Sequence, residues 1–260
     1  MRGPRVLPTL DEVDTGDHVC HLLDRSDDVI DRSRAFVADG ALHGDKVVIV
    51  GPAPRTESEF APLVLDPARL QGSLLSAVRR EAAAADREGF RSLRVLHHVI
   101  PGSRADRDGE WLRSELDLEE FAADTGAMVV CAYSGADWDL PALQQISCVH
   151  PHHLGSRPVS PAFRVYRTEH EGWTVTGAVD SDGAVAFGTI LCALLAHTPT
   201  VRLRCQTLDF FDAAGMSALT DAARHLPDRK VILEGTNETV RLTWKLSGFA
   251  VPDVPVVIAL

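Results

Sequence analysis

His18 and Cys20 stand two residues apart in the run DHVCHLL (17–23), which puts both side chains on one face of a strand. An imidazole beside a thiol is a donor pair for a borderline metal ion or a haem iron. Further polar residues sit near expected strand ends: His98 closes RVLHHV (94–99), Tyr133 shares MVVCAY (128–133) with Cys131, and His150 ends a short helical stretch. Open parallel sheets bind ligands beyond the carboxyl ends of their strands. His18, Cys20, His98, Tyr133 and His150 are therefore the candidate ligand-binding set, with His18, Cys20, His98 and His150 as candidate metal ligands. No tight ligand spacing accompanies them, and no cofactor follows from the sequence. Each histidine reads equally as a hydrogen-bonded structural residue, and Cys131 as a small core hydrophobe. Among ligands, a small organic molecule is preferred to a metal or haem.

A second constellation lies in LDFFDAAGMSALTDAARHL (208–226). Asp212 precedes a helical pattern, where its carboxylate can accept from the free N–H groups of the first turn. Ala213 and Ala214 leave that helix start open, and Gly215 permits close approach or an unusual backbone angle. Asp212, Ala213, Ala214, Gly215 and Met216 are the candidate partner-binding residues.

Several chemistries are disfavoured. After the strand KVVIVG (46–51), a nucleotide site would need GxxxxGK[ST]. The chain has PAPRTESEF (52–60) instead, with two prolines that lack N–H donors and Arg55 as its one cation. There is no GxSxG nucleophile elbow and no HExxH, so no catalytic residues are assigned and an enzyme is not expected. A formal net charge of -11 repels phosphate backbones and anionic membrane surfaces. The five cysteines are odd in number and include no CxxC, which suits a reducing compartment. The N-terminus lacks an apolar signal-peptide core, and AVAFGTILCALLA (184–196) is shorter than the roughly 20 residues of a membrane span. A cytoplasmic location is expected.

The elements that must position these residues alternate. Strands are expected at 17–23, 46–51, 92–100 and 128–133. Helices are expected from Ser26, with Ser26 or Asp27 as cap, to Leu42, and over 70–89, 111–125 and 140–149. That order implies a mostly parallel sheet covered on both faces. HPHHLGSRPVSP (150–161) reads as a linker, with His152 and His153 solvated. Two strands around a Glu171-Gly172 turn follow, then a helix over 181–196 and a strand TVRLRC (200–205) with TLDFFD as a loop. A helix over 213–225, the strand KVILEG (230–235), a helix capped by Asn237 and PVVIAL (255–260) complete the chain. The expectation is an α/β protein of two domains, 1–155 and 160–260.

The second half resembles the STAS domains, the anti-sigma-factor antagonist modules, over about residues 162–260. The 208–226 run, TGAVD (176–180) and SGF (247–249) carry the likeness. It implies a surface for an anti-sigma factor or a related protein kinase. Phosphorylatable members carry a serine where this chain has Ala214, so the usual switch is missing. Ser217 is a substitute acceptor or a solvated helix residue. The first half resembles the MEDS sensory domain over about residues 12–155. GDHVCHLL (16–23), RVLHHV (94–99), VVCAYSGADWD (129–139) and LQQISCVHPH (143–152) carry that likeness. It implies a RecA/KaiC-like fold and the sensing of a small ligand. Together they imply a signalling regulator without direct nucleic-acid or membrane contact, compatible with a homodimer. The alternative is a redox, metal or haem sensor in which the STAS half serves dimerisation.

Overall fold

A computed structural model of the chain describes residues 3–52, 62–101, 110–155, 161–168, 172–226, 228–251 and 253–259. The segment PAPRTESEF from its second residue onward, Arg55, the 156–160 part of the expected linker and Glu171 lie outside the described residues. The first half runs β1 (Arg5–Val6), β2 (His18–Leu23), α1 (Val29–Arg32), α2 (Arg34–His43), β3 (Lys46–Val50), β4 (Leu63–Leu65) and α3 (Leu74–Glu88). It continues with β5 (Leu93–His98), α4 (Glu110–Thr125), β6 (Met128–Ser134), α5 (Leu140–Ser147) and β7 (His152–Gly155). The seven strands form one parallel sheet in the order β1-β7-β2-β6-β5-β3-β4.

Side chains alternate across that sheet as strand geometry requires. Cys20, Val48, Val95, Val129 and Cys131 face α3, α4 and α5, packing on Val78, Leu118, Phe121 and Ile146. Val19, Ile49, Leu96 and Val130 face the other way, onto Val29, Phe36 and Val37 of the α1–α2 layer. Both faces are therefore dry, which is why these strands read as continuous apolar runs.

The second half runs β8 (Phe163–Arg167), β9 (Trp173–Val179), α6 (Ala184–His197), β10 (Thr200–Phe211), α7 (Ala213–His225), β11 (Lys230–Glu234), α8 (Glu238–Leu246) and β12 (Val256–Ile258). Its five strands are ordered β12-β11-β10-β9-β8, parallel except for the β8–β9 hairpin. The chain is thus α/β with a larger parallel sheet and a smaller second one. The core of the second sheet also takes in Leu112 and Leu116 of α4 together with Cys148 and Val149. Helix α4 belongs to both cores.

Four expectations need correction. The stretch read as a linker contributes β7, whose backbone pairs with β1 on one side and β2 on the other. His152 and His153 are buried there, His152 against Asp17 at 3.1 Å and His153 against Arg164 at 2.8 Å. A strand with partners on both flanks needs no apolar periodicity of its own. The first helix starts later, because Asp28 caps it by accepting from Ile30 and Asp31 N–H, while Asp27 pairs with Arg32. The expected span breaks at Ser33 into two helices, and the second, α2, runs through Gly40, where a Cβ would come within 2.4 Å of Val47 Cγ2, and stops at left-handed Gly44. The TLDFF segment is not a loop. It extends β10 past two register shifts and keeps it paired to β9 as far as Val179.

Candidate functional site

His18 opens β2, Cys131 lies in mid-β6 and His150 follows α5, while Glu115 projects from α4. One ligating atom from each lies within 4.8 Å of the others, and all four residues are buried. His18 Nε2 is 3.3 Å from Glu115 Oε2 and 3.4 Å from Cys131 Sγ, and His150 Nε2 is 3.2 Å from the same Glu115 oxygen. The His18 and His150 rings lie 4.1 Å apart between centroids. Around this centre, His18 Nδ1 contacts Glu119 Oε2 at 3.1 Å, and His150 Nδ1 donates to the Ile146 carbonyl at 2.9 Å.

Burial alone would push the His18 pKa down, but the adjacent carboxylates of Glu115 and Glu119 override it and lift the group to about 9. Burial would likewise raise Glu115, yet His150 and His18 hold it well below the usual carboxylate range. His150 is pressed down by burial and by the charge on His18. Burial, reinforced by the charge of Glu115, pushes the thiols of Cys20 and Cys131 up. Redox-reactive cysteines are partly exposed and have depressed pKa values, so neither thiol has the surroundings of a redox sensor.

Of the sequence candidates, His18 and His150 meet in this centre. Tyr133 stands edge-on to His150 with ring centroids 6.0 Å apart, and its buried hydroxyl has no hydrogen-bond partner. Cys20 is the neighbour of Cys131 across the β2–β6 ladder and adjoins the centre without entering it. His98 is elsewhere. Strand parity turns it to the α1–α2 side, against Gly51, while its predecessor His97 approaches Cys131 Sγ at 3.9 Å. The cluster sits under α4 on the face of the sheet, since His18 begins its strand, and not at the carboxyl edge. Sequence reasoning missed Glu115 and Glu119, two carboxylates one turn apart on an acidic helix where solvated glutamates are the usual reading.

The centre is tied to the second half. The second oxygen of Glu119 accepts the Arg167 backbone N–H at 2.8 Å. Arg164 on β8 donates to the carbonyls of Ser147 and His150 at 2.9 and 2.7 Å. A cleft of about 360 Å³ at this seam is lined by Gln144, Gln145, Cys148, Phe163, Asp182 and Ala186, and shares no residue with the histidine cluster.

In the second half, Asp212 caps α7 by accepting the Gly215 N–H at 2.9 Å. Ala213 is exposed and Ala214 half-buried. Gly215 and Met216 are buried, and a Cβ on Gly215 would lie 2.5 Å from Phe211 and 2.9 Å from Val179. The close approach that needs this glycine is made by the chain's own side chains. Ser217 Oγ donates to Asp221 at 3.3 Å. Among the described residues, no helix is long and apolar enough to cross a membrane.

Residues 64–151 match the family model described as the methanogen/methylotroph DcmR sensory domain, MEDS. That segment contains α4, Cys131, Tyr133 and His150. Among solved structures, the anti-sigma factor antagonist SpoIIAA in its unphosphorylated form matches over 38% of this chain and 88% of its own, at 15% identity and a TM-score of 0.29. A search of curated proteins finds no match.

Proposed function

We propose that the chain is a non-enzymatic signalling regulator. Its first half, 1–155, senses a small ligand or ion, and its second half, 160–260, binds a protein of the anti-sigma-factor class. The observation that supports this most is the double membership of α4. Glu115 and Glu119 carry the buried polar centre, while Leu112 and Leu116 of the same helix pack in the core of the second sheet. Any change that shifts α4 in the first half must repack the second. The partner face is the start of α7, where Ala213 and half-exposed Phe210 flank the Asp212 cap. An exposed aromatic beside small residues suits a close, desolvated contact. Alanine at 213 and 214 leaves no hydroxyl for a phosphate there, so control passes to the first half.

The test is calorimetric titration of the full chain against the anti-sigma factors of its own organism. Binding to at least one is expected, and Ala214→Asp, which mimics a charge at the helix start, should weaken it by about 1–3 kcal/mol. Binding to none, or affinity unchanged by that substitution, refutes the partner assignment.

A further inference from the structure

We propose that His18, Glu115, Cys131 and His150 form a binding site for one tetrahedral zinc ion. The donor atoms lie within 4.8 Å of one another, which leaves space for a single ion and none for a porphyrin or an organic molecule among them. Three of the six donor–donor separations, 3.2, 3.3 and 3.4 Å, lie close to the edges of a zinc tetrahedron, and none exceeds 4.8 Å. Bonds of about 2.0–2.3 Å to N, O and S give donor–donor edges of roughly 3.3–3.6 Å.

The hydrogen-bond pattern points the same way. Glu115 Oε2 faces both His150 Nε2 and His18 Nε2, at 3.2 and 3.3 Å, but these buried contacts are close ion pairs without aligned hydrogen-bond geometry. Native interiors usually give buried polar atoms aligned hydrogen bonds. Tyr133 adds an unpartnered buried hydroxyl beside them. Behind the centre, by contrast, the outer nitrogens are engaged. His150 Nδ1 donates to the Ile146 carbonyl and His18 Nδ1 faces the Glu119 carboxylate. Such partners fix the tautomer that turns the Nε2 lone pair inward, which is the carboxylate–histidine–metal arrangement of zinc proteins.

Two imidazoles, one thiolate and one carboxylate suit a borderline ion and not magnesium or calcium, which prefer all-oxygen sites. Binding takes two protons off the site, the thiol proton of Cys131 and the Nε2 proton that His18 carries at neutral pH, and both leave to solvent. The four ligands come from β2, α4, β6 and the turn after α5, so the ion would lock α4 to the sheet. The inference needs no partner protein, and metal content decides it independently of any titration against anti-sigma factors.

The experiment uses the full chain, purified without chelator from zinc-supplemented cells. Elemental analysis should find one zinc per chain. After removal of the metal and titration with Co²⁺ alone, the strong visible bands of four-coordinate cobalt should appear with a thiolate charge-transfer band in the near ultraviolet. Cys131→Ser should lose the charge-transfer band, and Cys20→Ser should keep it. Glu119→Gln should weaken Co²⁺ binding roughly 10–100-fold, the range for a lost outer partner. Absence of zinc, a six-coordinate cobalt spectrum, or a band that follows Cys20 in place of Cys131 overturns the assignment. If Cys131→Ser does not fold by circular dichroism, the cobalt spectrum of the unaltered chain decides alone.

Discussion

Arg164→Leu should loosen the seam between the two sheets more than any exposed charge does. The guanidinium is 7% exposed and makes three contacts, to Ser147 O at 2.9 Å, His150 O at 2.7 Å and His153 Nδ1 at 2.8 Å. Hydrogen bonds to a charged group contribute about 1.5–3 kcal/mol each, so the gross interaction is roughly 5–9 kcal/mol. Against it stands the cost of burying the cation, several kcal/mol, which leucine relieves. The balance is a loss of about 2–4 kcal/mol. Urea unfolding of the full chain, followed by tryptophan fluorescence and by far-ultraviolet circular dichroism, reads it directly. Arg202→Leu is the comparison, because Arg202 and Glu234 pair on an exposed strand face and should contribute no more than about 1 kcal/mol. A loss below about 1 kcal/mol for Arg164→Leu, or equal losses for both variants, would mean that the seam is not held by this fork.

Gly215→Ala should destabilise the chain by about 1–2 kcal/mol, although alanine is the better helix former by about 1 kcal/mol. The added Cβ meets Phe211, whose ring is itself packed edge-on to Phe187 at 5.5 Å and has nowhere to go. A denaturant midpoint that rises sinks this prediction. His21 gives a pH dependence whose sign is fixed by burial, which presses its pKa from 6.5 to about 4. The unfolded chain takes up the proton first. Stability from this group is therefore full above pH 6.5 and declines as pH falls toward 4, by as much as about 3 kcal/mol. His21→Leu should flatten that part of the stability–pH curve, and an unchanged slope would refute it.

The helices and central strands were legible because their signals are local. Asp212 and Asn237 cap α7 and α8 as their positions imply, and Gly89 ends α3 in the left-handed conformation. Those features depend on a few neighbouring residues, as caps and turns do. The strand β7 was not legible, since its backbone hydrogen bonds are made with β1 and β2, more than a hundred residues earlier.

For the candidate site, residue type and spacing by themselves determined that His18, Tyr133 and His150 are polar groups placed against a parallel sheet. Only the tertiary structure decided which of them meet. The tandem His97-His98 shows why: both faces of β5 are apolar, so alternation cannot tell which imidazole turns toward Cys131. Glu115 and Glu119 look like solvent-facing residues of a charged helix until α4 is laid between the two sheets and buries them. Neither a sheet covered on both sides nor a helix shared by two cores leaves a periodic mark in the sequence. In both, the burial of a side chain is set by elements distant along the chain.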